Sequence, residues 1–553
     1  MNQSLSARTD QSQGQDPKQR FGMVIDLNSC VGCQTCTIAC KHENDTPPGV
    51  QWRRVIDVEL GQFPNVERLF LVTGCQHCDE PPCVPVCPTG ATRQRADGLV
   101  TMDYDRCIGC GYCAVACPYQ ARTIAHEQNW YYGTPTVQEE QVAQKGRIGV
   151  ANKCTFCVDR VDGGIAQGLT PGIDPEATPA CANSCIATAI HFGDFADPNS
   201  NVSQLSGDGR AFQMHQELGT DPQIKYLYGL DNSMPGRERT ADDVDDEALQ
   251  DPDNPLAGQR QTFWDMRAAM NFTLGGMSTG LIIMAWLAYV TGFLPQDSLL
   301  AINLVAGVGM AVGLFFVFLE IARKFRFLYV LLRPGTSWMT RETYVVALFY
   351  PTLIADLVQP SELLHLALAV AAAAFLYCQA RILPAAKGIP AWRGRLMPWM
   401  LLATGLLEGA GLLAIAASLF SGPAGAAPVA AGAGGVLAVI NAILWRKYIA
   451  TARACGIGPL ARNALAAITL RLRLIGHALP LLGFALFLGL WLDYPFLAAA
   501  TCLVAGIGAV AGGILWKFTV ITKACHQQGF ALPKVPQRGS GTRAAPARMG
   551  TAV

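Results

Sequence analysis

Residues 30–40 read CVGCQTCTIAC, and residues 107–117 read CIGCGYCAVAC. Both follow C-x2-C-x2-C-x3-C, through Cys30, Cys33, Cys36 and Cys40 in the first and Cys107, Cys110, Cys113 and Cys117 in the second. Between them Cys75, Cys78, Cys83 and Cys87 follow C-x2-C-x4-C-x3-C. A split group, Cys154 and Cys157 with Cys181 and Cys185, closes the series, so that sixteen of the twenty cysteines fall in four quartets. Three thiolates on one tight loop can cap three irons of a cubane, while the fourth, past a turn, points to a neighbouring cluster. The spacing therefore predicts four 4Fe–4S clusters. Zinc also takes C-x2-C pairs, but the third and fourth cysteines here follow at cluster spacing rather than closing a tetrahedron. A disulfide framework suits short secreted chains, and nothing in this sequence reads as secreted.

Working outward, 553 residues exceed one ordinary core and predict at least two domains. Forty-two basic residues balance forty-two acidic ones, so bulk charge points to no nucleic-acid partner. The composition instead changes along the chain. Before about residue 265 it is polar and turn-rich; after it, long apolar runs dominate. Residues 1–20 carry neither a signal peptide nor a twin-arginine leader and read as a flexible tail. Within the iron–sulfur domain, set at 21–235, segments 21–27, 55–60, 68–73 and 98–103 read as strands, and 115–121 as a cluster loop entering a short helix. Residues 126–149 read as an insertion. Residues 159–180, with GLTPGIDPEATP, read as an ordered surface loop rather than a helix, suited to a partner contact. The stretch from 195 to 229 reads as a short domain tail. Residues 236–264 read as an acidic linker, and 526–553 as a disordered tail.

Residues 265–525 read as an all-α polytopic membrane domain. Lys and Arg are absent from 268–322, 342–380, 396–445 and 474–516. A span needs roughly 20 apolar residues, so each block holds a helical hairpin. This predicts eight spans, at 270–294, 299–322, 343–358, 362–383, 396–420, 428–446, 474–493 and 496–518. Basic residues gather at 323–341, 381–395 and 446–473, and the intervening connections hold none. All basic loops then lie on one face with both termini and the iron–sulfur domain. The positive-inside rule makes that face the cytoplasmic side of a bacterial inner membrane.

The signatures CVGCQTCTIAC, CDEPPCVPVCPTGA, CIGCGYCAVACPY and KCTFCVDR resemble the iron–sulfur subunits of dimethyl-sulfoxide-reductase-type molybdoenzymes, with their ferredoxin-like α+β fold. The eight-span half, with LLRPGTSWMTRE at 331–342, is similar to the membrane-anchor subunits of the same complexes. Family members usually keep the two as separate polypeptides, so the resemblance, over about 20–525, implies a fusion. It implies interleaved ligand sets: Cys30, Cys33, Cys36 with Cys185; Cys40 with Cys154, Cys157, Cys181; Cys75, Cys78, Cys83 with Cys117; and Cys87 with Cys107, Cys110, Cys113. The stretches GLTPGIDPEATPACANSC, FGDFADPNSNVS and FQMHQELGTDP look most like the iron–sulfur subunit of the cytoplasmic sulfite-oxidising complexes, with phenylacetyl-CoA:acceptor oxidoreductases close by.

The resemblance further implies a non-catalytic electron-transfer subunit. It would pass electrons between a separate molybdopterin-containing catalytic subunit, oxidising sulfite, and quinone in the bilayer. A quinol-oxidising reductase of dimethyl sulfoxide, polysulfide or thiosulfate and a redox-driven ion pump are the rivals. Candidate quinone residues are Glu320, Trp338, Arg341, Glu342 and His477, since ionisable groups in spans mark function. Glu408 is a candidate proton relay; Asp356, Glu362 and His365 sit at the opposite face. Haem is not expected, because His365 and His477 fall at opposite faces. Cys378, Cys455, Cys502 and Cys525 read as scattered fillers.

Overall fold

The computed structural model describes residues 19–62, 65–228, 251–422 and 424–530. Residues 1–18 of the tail expected at 1–20, the front of the expected linker and residues 531–553 lie outside the described residues, while Arg20 is tied to the fold by an ion pair with Asp79 at 2.9 Å.

The apolar run FGMVID forms β1 (Phe21–Asp26), buried along almost its whole length. It is the second strand of a four-stranded sheet ordered β8 (Ile190–Asp194), β1, β10 (Ile224–Leu227), β9 (Ala211–Phe212). β1 runs parallel to β10, with Met23 opposite Ile224, and antiparallel to β8, with Met23 opposite Phe192. The stretch 195–229 is therefore no tail: β10 lies at the middle of the sheet, with Ile224 and Tyr226 fully buried. IKYL is too short, between Pro and Gly punctuation, for alternation to announce it.

β2 (Arg53–Gln62) and β3 (Asn65–Gly74) form a long antiparallel hairpin, Arg53 opposite Gly74, over the two segments expected as strands. Two short ribbons follow, β4 (Thr92–Gln94) with β5 (Val100–Met102) and β6 (Thr123–Ile124) with β7 (Ala151–Asn152). Short helices lean on these strands: α1 (Thr35–Glu43), α2 (Tyr112–Ala116), α3 (Val137–Val142), α4 (Val158–Ala166), α5 (Ala180–Asn183) and α6 (Asn201–Ser206). In the 126–149 insertion, α3 starts at a capping box between Thr136 and Glu139. The expected loop at 159–180 opens as helix α4 instead. Val161 and Gly164, three residues apart, face inward, and a Cβ on Gly164 would stand 2.4 Å from that of Ala177 on the returning chain.

In the second half α7 (Met266–Val290), α8 (Gln296–Glu320), α10 (Glu362–Ala385), α11 (Met397–Leu419), α12 (Ala427–Thr451, with one 3₁₀ turn before it), the helix Pro459–Leu490 and α15 (Pro495–Thr522) are long and apolar enough to cross a membrane. The helix Pro459–Leu490 comprises α13 (Pro459–Arg471), a π-helical stretch at Leu472–Ala478 and α14 (Leu479–Leu490). These are seven among the described residues, not the expected eight. The stretch at 343–358 lies in α9 (Trp338–Val358), which packs beside α10 but carries Arg341, Glu342, Pro351 and Asp356 within its length. Small residues set the closest approaches, as lipid-embedded packing requires. A Cβ on Gly280 of α7 would stand 2.0 Å from the Gly405 carbonyl of α11, and one on Gly409 equally close to Gly280.

The iron–sulfur half sits on one end of this bundle, and one apolar core crosses the boundary. Val86, Val100 and Val115 pack in the same cluster as Trp264, Phe272, Leu383 and Trp392. All three basic stretches lie at that end. Arg323 donates to the Ile148 carbonyl at 2.9 Å and Arg326 to Tyr104 at 2.7 Å. A Cβ on Gly388 would meet the Val115 and Cys117 carbonyls at 2.6 Å. Tyr448 donates to Ala391 at 2.8 Å. Residues 256–261 and 526–530 also pair here, Gln527 with Gln259 and Phe530 with Leu256. The rear of the expected linker and the start of the expected tail are thus packed structure, with Leu256 and Phe530 buried.

Candidate metal centres

A C-x-x-C loop can curl around a bound group only if its backbone reverses within two residues. In each quartet the second residue after the first cysteine holds a left-handed conformation: Gly32 at φ 68°, His77 at 43°, Gly109 at 71° and Phe156 at 56°. Glycine adopts it at no steric cost, whereas His and Phe do not. Their strain is offset by mutual stacking, with ring centroids 3.8 Å apart. His77 is further fixed at both nitrogens: the Val100 amide donates to Nδ1 at 3.1 Å, and Nε2 faces the Cys154 carbonyl at 3.1 Å. Nε2 must then carry the proton. Burial and the nearby Lys153 hold this imidazole neutral, its pKa well below the usual value.

The fold brings the sixteen cysteines into four groups that do not follow chain order. Cys30, Cys33, Cys36 and Cys185 line one cavity. Cys87, Cys107, Cys110 and Cys113 line another. Cys40 faces Cys154, Cys181 and Cys157, and Cys78 faces Cys75, Cys83 and Cys117; burial first, then these neighbours, push both thiols up. Burial likewise raises Cys36 and Cys154 to about 11 and Cys113 and Cys157 to about 12. Thiolates at these positions are costly unless something cationic sits among them. Among the described residues no three His, Cys, Asp or Glu side chains close on a point as they would around a single ion.

Two buried arginines supply part of the positive charge. Arg53 is fully buried and lies among Cys181, Cys154, Cys36 and Cys40, whose charges raise its pKa although burial alone would lower it. Arg122 stands in the same relation to Cys83, Cys113, Cys75 and Cys117, with its guanidinium 3.0 Å from Cys83 Sγ. The charge of each arginine acts on two of the four groups, and Cys154 also faces Cys75. The groups therefore follow one another in a row: Cys30 set, Cys40 set, Cys75 set, Cys87 set. Amide donors reach the sulfurs, from Ala189 to Cys185 at 3.2 Å, Thr92 to Cys87 at 3.4 Å and Ala151 to Cys107 at 3.5 Å. Such bonds tune a bound cluster. The Arg53 and Arg122 positions carried no signal in the sequence, being ordinary basic residues, one opening β2 and the other just before β6.

The Cys87 set lies against the membrane helices. Tyr112, between Cys110 and Cys113, donates to the Ile382 carbonyl of α10 at 2.7 Å, and Trp264 donates to Cys110 at 2.9 Å. The loop before α9 grips the same cavity wall: Ser337 donates to Val86 at 3.0 Å, and Gly90 lies under the Arg333 guanidinium. At the other end of the row Cys33 is exposed, and the apolar side chains of Val31, Ile38 and Ile186 beside it are exposed too.

Of the five candidate quinone residues, three come together. Trp338, Arg341 and Glu342 share the first turn of α9 at the iron–sulfur end; Arg341 lies over the Trp338 ring at 4.3 Å, and Arg381 of α10, for which the sequence held no signal beyond its charge, lies over it at 5.3 Å. Glu342 is buried with Oε1 unpartnered. Glu320 ends α8, apart from them, near Asp265 and Arg267. His477 falls well inside the helix Pro459–Leu490, in its π-helical stretch, rather than at a helix end, because that helix begins fifteen residues before the expected 474. Glu408 is not a lone relay: Lys517 of α15 meets it at 2.5 Å, both fully buried.

Residues 66–133 match the 4Fe-4S dicluster domain. The chain is similar to a selenate reductase subunit of Mesobacillus selenatarsenatis, 42% identical over 37% of this chain and 70% of the relative. It is similar to a putative dimethyl sulfoxide reductase iron-sulfur subunit of Halobacterium salinarum, 37% identical over 44% of this chain and 90% of the relative. A sulfite dehydrogenase subunit of Allochromatium vinosum is also 37% identical, over 43% of this chain and 91% of its own length. These likenesses cover the N-terminal part. By its cysteine cavities and these relatives, the chain belongs to the family of 4Fe–4S electron-transfer subunits of oxidoreductase complexes, and continues into a bundle of membrane-spanning helices.

Proposed function

We propose that the chain is a fused electron-transfer and quinone-interacting anchor subunit, passing electrons between a separate cytoplasmic molybdopterin-containing catalytic subunit and the quinone pool. The observation that carries this reading is the row of cysteine groups, which starts at an exposed end and finishes against the membrane helices. When bound, four 4Fe–4S clusters supply one-electron carriers. The ligands are Cys30, Cys33, Cys36 and Cys185; Cys40, Cys154, Cys157 and Cys181; Cys75, Cys78, Cys83 and Cys117; and Cys87, Cys107, Cys110 and Cys113. Val31, Ile38 and Ile186 form the apolar rim on which the catalytic subunit docks, since exposed apolar patches of this kind mark partner surfaces.

At the other end, Trp338, Glu342 and Arg381 form the quinone head-group site. Trp338 offers a flat face, Arg381 a donor, and the unpartnered buried carboxyl of Glu342 a proton. All three basic stretches gather at the iron–sulfur end, so the positive-inside rule supports a cytoplasmic iron–sulfur half. The sulfite assignment follows the likeness of 168–185, 192–203 and 212–222 to sulfite-oxidising complexes, and a sulfite dehydrogenase subunit stands among the relatives. The 42% identity to a selenate reductase subunit favours a second reading, in which quinol feeds a reductase. Anaerobic membranes containing the chain separate the two. Quinone reduction on adding sulfite supports the first; quinol oxidation by an oxyanion with no response to sulfite supports the second. Purification without any molybdenum protein would contradict both.

A further inference from the structure

At the end of the bundle away from the cysteines, a second constellation remains that electron transfer does not use. His365 of α10 and Asp356 of α9 form a pair, Nδ1 to Oδ1 at 2.8 Å, with side chains 1% and 0% exposed. Behind Asp356, Asn303 of α8 reaches its Oδ2 at 3.5 Å. In front, the Tyr289 ring of α7 stands edge-on to the imidazole at 5.1 Å, and the Tyr289 hydroxyl donates to Glu362 at 2.5 Å. Glu362 is exposed at the head of α10. Neither imidazole nitrogen of His365, nor Asp356 Oδ1, makes a hydrogen bond of good geometry, so the two groups lie close without being locked together. Four helices thus place a line of polar groups from an exposed carboxylate to a buried acid–imidazole pair.

The surroundings suit proton collection. The connections at this face, 291–295, 359–361, 420–426 and 491–494, contain no Lys or Arg, while Asp297, Glu362 and Asp493 stand at or beside them. A buried carboxylate in lipid is costly unless paired, and a pair kept only for packing would have its nitrogens satisfied. This one leaves both imidazole nitrogens without a hydrogen bond, in a ring that stands beside Tyr289.

We propose that Asp356–His365 is a proton-loading site of the membrane half, filled from the face opposite the cysteine domain by way of Glu362 and Tyr289. A proton taken up by the pair is shared between an imidazolium–carboxylate form and an imidazole–carboxylic acid form, the second being the one a carbodiimide labels, so the pair alternates between net charges of minus one and zero. No oxidant or second substrate takes part. The site is independent of which substrate the electron-transfer half serves.

The test uses the full chain in liposomes, selected for vesicles with the cysteine domain outside, and the two compartments separately buffered. Dicyclohexylcarbodiimide adds only to protonated carboxyl groups, and peptide mass spectrometry reads the extent of addition at Asp356. The expected result is labelling of Asp356 that falls several-fold as the inner compartment is made alkaline and ignores the outer one. Glu362→Gln and Tyr289→Phe, both near the surface, should slow the response several-fold; Asp356→Asn identifies the peptide. Labelling that follows the outer compartment, responds to neither, or is unchanged in both surface variants would overturn the proposal.

Discussion

The imidazole of His77 lies on the phenyl ring of Phe156, with planes 22° apart. Both residues occupy the same place in their loops, two positions after the first cysteine, and both hold positive φ. The stack joins the Cys75 and Cys154 loops, and Phe192 meets Phe156 edge-on to tie both to strand β8. Phe156→Ala removes the stack and leaves a void, so it should destabilise the iron–sulfur half by about 3 kcal/mol. His77→Phe keeps the ring but strands the Val100 amide and Cys154 carbonyl, at about 1–3 kcal/mol. Urea titration of the holoprotein, followed by cluster absorbance, measures both.

Arg122 contacts Cys83 of the Cys75 set, and its charge also acts on Cys113 of the Cys87 set. Substitution by Met removes a buried positive charge beside Cys83, and reduction adds negative charge there. The potentials of the two neighbouring centres should therefore fall, each by an amount on the order of 3 kcal/mol or less for a unit charge at roughly 6 Å and an effective dielectric of about 20. Redox titration followed by electron paramagnetic resonance checks this. Arg53→Met should do the same to the centres of the Cys30 and Cys40 sets and leave those of the Cys75 and Cys87 sets unmoved.

Glu408 and Lys517 pair deep in the bundle, and two glycines make room for them. A Cβ on Gly513 would stand 2.0 Å from Glu408 Oε1, and one on Gly276 2.5 Å from Lys517 Nζ. Removing one charge leaves the other buried and unpaired, so Glu408→Gln should cost about 3–5 kcal/mol. The double variant Glu408→Gln with Lys517→Met should recover much of that loss. Thermal unfolding in detergent, with the double-mutant coupling as readout, decides it.

If Glu342 gives quinone its proton, Glu342→Gln, which can still donate a hydrogen bond but not a proton, should lower the kcat of quinone reduction by about a hundredfold or more and change KM little. Iron content and cluster spectra should stay unchanged. Steady-state quinone reduction by the whole complex, beside an iron assay of the same preparation, checks both halves of the statement.

Much of the site was legible because cluster ligation is a local matter. C-x2-C-x2-C spacing reports a loop that must curl, and the structure places the curl at Gly32 and Gly109 as such loops require. Local spacing could not find β10, whose four residues are placed by Met23 and Ile25 across the sheet rather than by their own pattern. Lys517 escaped for a related reason. A charge-free block ending at 516 reads as the end of a span, whereas α15 continues to Thr522 because Glu408 on another helix accepts the ammonium. His477 was misplaced by the same rule in reverse. Arg471 and Arg473 read as a loop, yet the helix from Pro459 runs through them. Long-range partners, not local composition, settle where charged residues sit in this bundle.

The central claim is that four cysteine groups hold four cubanes. The direct measurement is iron and acid-labile sulfide per polypeptide in the full chain purified without oxygen, with a Cys110→Ser variant alongside. Four cubanes predict about sixteen of each, and a loss confined to the signal of the centre nearest the membrane in the variant. Half that iron or less in a fully folded preparation, or stoichiometric zinc in its place, would contradict the claim.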